Sequence, residues 1–383
     1  MMQISFQYRV KPTLIFSILI LFSGSLVVAQ NSPDLTFFRS QIDSLYKVSE
    51  KLCNADSTSK LASSWVLKSN SILAIMDDAE LKERYSNLDL QVESARALIR
   101  ITELDKNNQY RLATETNLAT STIDLSNLGR ESLEASRKFN SSADAERSSE
   151  YFQLCLETYK LTGASQKVVD NFWREESISW QWIRFFKAVA SRKSGRSDFA
   201  EKEYSTLIKI GWEEPVVFLE LADLYTKSGK AEEAQKTLVN AYEKLPENIP
   251  LACTLAKLYL STDQLKKAQA VIKPFDHQLG YNAELVLTKA LIYEKRGDFK
   301  KADAMFKAVH KSDPNEVHIN SIYAGYLMRK TKGAEPFDAE EFAQLAYTLM
   351  HQASELSPQN SDLLQKRDDI KKKYPKVKLE ETE

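Results

Sequence analysis

The chain has 383 residues, 43% of them hydrophobic and 27% charged, and its 52 basic residues against 53 acidic ones leave a formal charge of −1. That balance argues against nucleic acid as a partner. Cys53, Cys155 and Cys253 are too few and too widely spaced for a disulfide framework or a zinc site. Glycine is scarce and no proline lies between Pro33 and Pro215. Sheets and nucleotide loops need such turn formers, so the composition predicts an all-α protein.

At the N-terminus, Arg9 and Lys11 precede an apolar run from Leu14 to Phe22, with small residues around Ala29. This is the layout of a secretory signal peptide, residues 1–29, cut near Ala29. A signal anchor is the rival, but Ser23, Gly24 and Ser25 interrupt the stretch, which falls short of the roughly 20 apolar residues a spanning helix wants. No cysteine stands at the cut to be acylated. The mature chain is therefore expected in the periplasm or outside the cell, with no stable membrane insertion. The Val-Val-Ala-Gln ending resembles signal peptides of Bacteroidota.

Residues 30–175 are strongly helical without a clean period. Leu35, Phe38, Ile42, Leu45 and Leu52 mark one amphipathic helix, and Tyr151, Phe152, Cys155, Leu156 and Tyr159 another. Between them Leu81, Tyr85, Leu88, Val92, Ala95 and Ile99 alternate by four and three, and 105–109 offers a turn into Leu112, Thr116, Ala119 and Ile123. Two alternatives stay open: a long helical hairpin, or degenerate repeats. Trp173, Trp180, Trp182 and Trp212 crowd the junction with the next region, where aromatics either weld the halves together or form a binding hot spot.

From residue 176 to 360 a period of 34 residues takes over. Ala188, Ala222, Ala256, Ala290 and Ala324 form one column, Ala200, Ala234, Ala268 and Ala302 a second, and Tyr225, Tyr259 and Tyr293 a third. Gly195, Gly229 and Gly297 share a fourth with Asp263, and Pro246 and Pro314 a fifth with Gly280. Pairs of antiparallel helices explain the offsets: alanine where backbones cross, glycine in the tight turn, proline after the second helix. The columns resemble the tetratricopeptide repeat, which implies a right-handed α-solenoid of about five helix-turn-helix units, beginning near Gln181, Pro215, Ile249, Ala283 and Val317. The fifth unit carries about ten extra residues, RKTKGAEPFD. Residues 361–375 read as a capping helix and 376–383 as a disordered tail.

Catalytic chemistry is sparse. His277, His310, His318 and His351 lack metal-ligand spacing, and no P-loop, GxSxG or GxGxxG occurs. The pattern of Ser44 with Lys47, and of Ser57 with Lys60, has no companion motifs. No enzyme activity, cofactor or metal is expected. The resemblance implies that the first helices of the repeats present a groove to a protein or peptide partner. Carried over here, that places Trp182, Phe185, Val189, Leu219, Asp223, Cys253, Lys257, Leu287, Leu291 and His318 on its surface. A further column, Lys193, Lys227, Lys295 and Arg329, reinforced by Arg192 and Lys257, reads either as helix-terminal cations complementing the dipole or as a basic rail for acidic partners. The expected function is a non-catalytic scaffold or assembly factor of the cell envelope. The alternatives are a glycan- or peptide-binding solute receptor and a hydrolase.

Overall fold

A computed structural model describes residues 35–379; the expected signal peptide and residues 380–383 lie outside them. Every regular element among the described residues is helical. The chain divides into two compact units between Ala200 and Glu201.

The first unit contains α1 (Leu35–Asn54), α2 (Ala62–Asp77), α3 (Ala79–Arg84), α4 (Leu90–Leu104), α5 (Arg111–Phe139), α6 (Ser142–Leu161), α7 (Gln166–Glu175) and α8 (Trp180–Lys193). Helix α2 packs on α4, α4 on α6 and α6 on α8, while α5 lies against both α4 and α6. That succession is a row of helical hairpins, and the second helices α3, α5 and α7 measure 6, 29 and 10 residues. The region is a row of several hairpins and not one long hairpin. The stretch from Leu81 to Ile99 is correspondingly broken. Asp89 caps α4 by accepting a hydrogen bond from the Val92 amide, which starts a new helix five residues after α3 ends. Tyr85 and Leu88 still pack on the core of Ile42, Tyr46, Ile72, Ile75, Leu81 and Leu90. The apolar spacing therefore marked core membership, not helix continuity.

Hydroxyls line this unit's helix crossings. All buried polar residues of the described chain fall in it except Thr288, Asn320, Thr331 and Ser354. Ser71 donates to the Leu67 carbonyl at 2.7 Å, Thr122 to the Leu118 carbonyl at 2.7 Å, and Thr158 to the Leu154 carbonyl at 3.0 Å. A Ser or Thr bonded back to its own helix packs much as alanine does, because its polar atom is satisfied locally. At one close approach, a Cβ on Gly129 would lie 2.6 Å from the Phe152 ring, and Ser148 donates to the Gly129 carbonyl at 2.7 Å.

Helix α9 (Ser197–Lys209) spans the division. The second unit continues with α10 (Pro215–Lys227), α11 (Ala231–Lys244), α12 (Ile249–Ser261), α13 (Leu265–Ile272), α14 (Ala283–Arg296), α15 (Phe299–Ser312), α16 (Val317–Lys330), α17 (Pro336–Leu356) and α18 (Ser361–Lys373). Each first helix contacts its own partner and the next first helix: α10 meets α11 and α12, α12 meets α13 and α14, and α14 meets α15 and α16. Both alanine columns are buried throughout. The turn column holds positive φ at every member, Gly195, Gly229, Asp263 and Gly297, and Asp263 alone carries a side chain into that region. The tyrosines pack beside lysines, with Lys230, Lys267 and Lys301 over the rings of Tyr225, Tyr259 and Tyr293.

Helix α8 packs on α5 and α6 and buries Ile183, Phe185, Ala188 and Val189, and the first compact unit runs to Ala200. Two features depart from the sequence expectations. Helix α13 stops at Ile272 and continues as 3₁₀ turns over Lys273–Tyr281, since Pro274 lacks the amide that would continue it. Residues 376–379, expected within a disordered tail, lie on α17. Val377 is 3% exposed, the Lys378 amide donates to Gln344 Oε1 at 3.0 Å, and Lys376 pairs with Glu340 at 2.9 Å. The 21-residue α17 supplies the surface that holds them.

Candidate binding cleft

The 34-residue period brings successive first helices of the second unit to one wall. Lys257, Leu260 and Ser261 of α12, Leu291, Glu294 and Lys295 of α14, and Arg329 and Lys330 of α16 line a cavity of about 940 Å³. Phe299 at the start of α15, Gly333, Ala334, and Asp338 and Phe342 of α17 complete it. The extra residues of the fifth repeat thus form part of the wall. Lys330 fixes that part: its Nζ sits 4.3 Å from the centre of the Phe342 ring and 2.7 Å from Asp303.

Every cation of the wall is ion-paired. Arg329 makes two hydrogen bonds to Glu294, at 2.7 and 2.8 Å, a fork geometry that favours arginine. Lys295 pairs with Asp263 at 2.5 Å. Lys257 pairs with Glu284 at 2.5 Å, and His318 Nε2 lies 3.0 Å from the other oxygen of the same carboxylate. Burial alone would raise the pKa of Glu284, but the His318 hydrogen bond and the Lys257 charge outweigh it and hold the carboxyl at about 2. These pairs stitch successive repeats together, so the basic column is in part a structural ladder.

The expected site residues separate accordingly. Lys257, Leu291, Lys295 and Arg329 meet in the cleft. Leu287 and Cys253 are fully buried in the hairpin cores and offer nothing to a partner. Phe185 and Val189, 5% and 7% exposed, belong to the core of the first unit. Trp182 packs there as well, stacked on Phe186 with ring centres 5.8 Å apart. Arg192 and Lys193 also lie in the first unit. Leu219 is half-buried against the core around α11 and α12, and Lys227 pairs with Asp223 within α10 at 3.0 Å. Leu260, Phe299, Lys330, Gly333, Ala334, Asp338 and Phe342 were not anticipated. The ten-residue insertion was the visible signal for Lys330, Gly333, Ala334 and Asp338.

Reactive groups are quiet. Burial pushes the thiols of Cys53 and Cys253 up to about 11 and that of Cys155 higher still, where little nucleophilic thiolate exists at neutral pH. Lys47 pairs with Asp43, and Ser44 donates to the Ser40 carbonyl, so this serine and lysine do not meet as a catalytic pair. Among the described residues no group of three or more His, Cys, Asp or Glu is placed to hold a metal ion, and no helix is long and apolar enough to cross a membrane.

Residues 225–278 and 283–316 match models of the tetratricopeptide repeat. Those two segments therefore carry tetratricopeptide repeats. Comparison with curated proteins gives no match. Among solved structures, a thermophilic tetratricopeptide protein of Thermus thermophilus is similar at 19% identity, covering 50% of this chain and 98% of its own, with a TM-score of 0.41. A tetratricopeptide repeat protein from Parabacteroides merdae is similar at 13% identity, covering 64% and 99%, with a TM-score of 0.38. The human IFIT1 dimer with m7Gppp-AAAA is similar at 14% identity, covering 87% and 69%, with a TM-score of 0.44.

Proposed function

We propose that the protein is an exported, non-catalytic scaffold or assembly factor of the cell envelope, and that its second unit holds a segment of a partner protein in the cleft. The observation that carries this reading is the cleft itself, a cavity of about 940 Å³ walled by three successive repeats and by residues of the fifth repeat's insertion. Groove recognition of peptide segments uses such a wall, with apolar positions for anchors and polar positions at the rim. The envelope assignment rests on the N-terminal sequence alone. The test is crosslinking in the native host followed by affinity purification and mass spectrometry, comparing wild type with the double variant Lys295→Glu and Phe299→Glu. Both side chains are exposed, Phe299 at 48% and Lys295 at 45%, so the fold is expected to survive. Loss of one specific protein from the variant's captured set is the expected result; an unchanged set would overturn the reading.

A further inference from the structure

The chain beyond α18 is in part built into the end of the array. Helix α18 stops at Lys373, and its last turn reaches Tyr347 of α17, where Lys371 Nζ sits 5.4 Å from the ring centre. The chain then reverses. The Val377 amide donates to the Tyr374 carbonyl at 3.2 Å, closing a four-residue turn with Pro375 at its second position, where the fixed φ of proline fits. The turn buries Val377, 3% exposed, and its backbone is gripped from both helices. From α17, Gln344 accepts from the Lys378 amide at 3.0 Å and donates to the Lys378 carbonyl. From α18, Lys371 donates to the Val377 carbonyl. The pair of Lys376 with Glu340 adds little, since its side chains are 83% and 54% exposed.

The first turns of α17 have few other supports. Glu335, at the N-cap, gives no side-chain cap, so the opening amides of the helix turn to solvent. Of residues 336–342 only Ala339 is buried and Phe342 half-buried. Segments with so few buried contacts open locally at low cost. These same turns separate two surfaces. Phe337, Glu340, Glu341 and Gln344, spaced by three and four along one helix face, line a hollow of about 400 Å³ beside the tail. Asp338 and Phe342, four apart, line the cleft.

We propose that residues 374–378 are a latch on the cleft wall. Docked, they hold the first turns of α17, and with them Asp338 and Phe342, in place; released, those turns fray and the wall opens. The latch needs no partner to exist, and its use in regulating the cleft rests on the protein-binding reading. A molecule that captures the tail changes the affinity of the cleft, and an occupant of the cleft changes the hold on the tail by the same factor.

The test is residue-resolved hydrogen exchange on the isolated full chain with no partner present. Val377→Asp expels the buried side chain, and Gln344→Ala removes the backbone grip without placing a charge in the groove. Both should speed exchange of the amides of residues 340–344 about tenfold, the scale set by one displaced aliphatic side chain or a pair of hydrogen bonds. Amides of α12 and α14 should keep their wild-type rates, and Val377→Ile should match wild type throughout. Unchanged exchange over residues 340–344 in Val377→Asp overturns the latch. Acceleration by Gln344→Ala alone overturns it too, because the effect then belongs to the helix and not to the tail. Uniform acceleration across α12 and α14 does the same, because the tail then supports the whole unit. The cleft reading falls separately, only if the double variant Lys295→Glu and Phe299→Glu captures the same proteins as wild type.

Discussion

The two units use one packing scheme with different small residues. In the second unit alanine occupies the crossings: Ala222, Ala234, Ala256, Ala268, Ala290 and Ala302 are 0 to 1% exposed. In the first, Ser71, Ser94, Thr122, Ser126, Ser148 and Thr158 are buried, and Gly129 stands beneath Phe152. A hydroxyl that bonds back to its own helix costs little at a crossing, so several residue types satisfy the same requirement. A helix crossing does not need one residue type, only a small one.

The comparison breaks most sharply at the largest buried side chains. Trp173, 1% exposed, fills the first unit beside α5, and Phe306, 0% exposed, fills the second between Tyr323 and Tyr326. Either change to alanine should cost about 3 to 5 kcal/mol. Hydrogen exchange should show Trp173→Ala loosening amides before Ala200 and Phe306→Ala loosening those after Glu201; uniform loosening by both would dissolve the division. A smaller effect is expected at the crossings. Ala234→Leu and Gly129→Ala each overpack a tight contact and should destabilise by about 1 to 3 kcal/mol in denaturant titrations. Unchanged unfolding for Ala234→Leu would mean the alanine column is misread.

Two half-buried carboxylates, one in each unit, are shifted in opposite directions. Glu284 is held at about 2 in the fold, below the unfolded value of about 4.3. Its contribution is present above the unfolded value and is lost as pH falls through the folded one. Asp124 in the first unit is raised by burial, which its hydrogen bond from Gln91 only partly offsets. Its contribution is present below the unfolded value of about 3.9 and is lost as pH rises through the raised one. Glu284→Gln should flatten the acid limb of stability in the second unit, and Asp124→Asn should stabilise the first unit more at pH 7 than at pH 3. The smallest effect is expected at Ser71→Ala, under about 1 kcal/mol, since the Leu67 carbonyl it bonds also serves the helix.

Much of the second unit was legible because each column records a geometric necessity. Gly229 and Gly297 stand where φ is positive, and the substitute Asp263 adopts the same conformation. The first unit offers no such columns, and its hairpins are irregular, with second helices ranging from 6 to 29 residues. The cleft was half legible. Lys257, Leu291, Lys295 and Arg329 lay in periodic columns, but their ion partners come from neighbouring repeats at offsets such as 27 for Glu284 and 35 for Glu294. Leu287 and Cys253 were misplaced by the family pattern, because a position on a first helix does not state which way the side chain turns.

The most direct measurement replaces Phe299 with the photoreactive benzoylphenylalanine and, separately, does the same at Val168, a residue of α7 that is 57% exposed. Irradiation in the native host should crosslink one specific protein from position 299 and none from position 168. Equal yields from both positions, or a specific product from 168 alone, would contradict the cleft as the binding site.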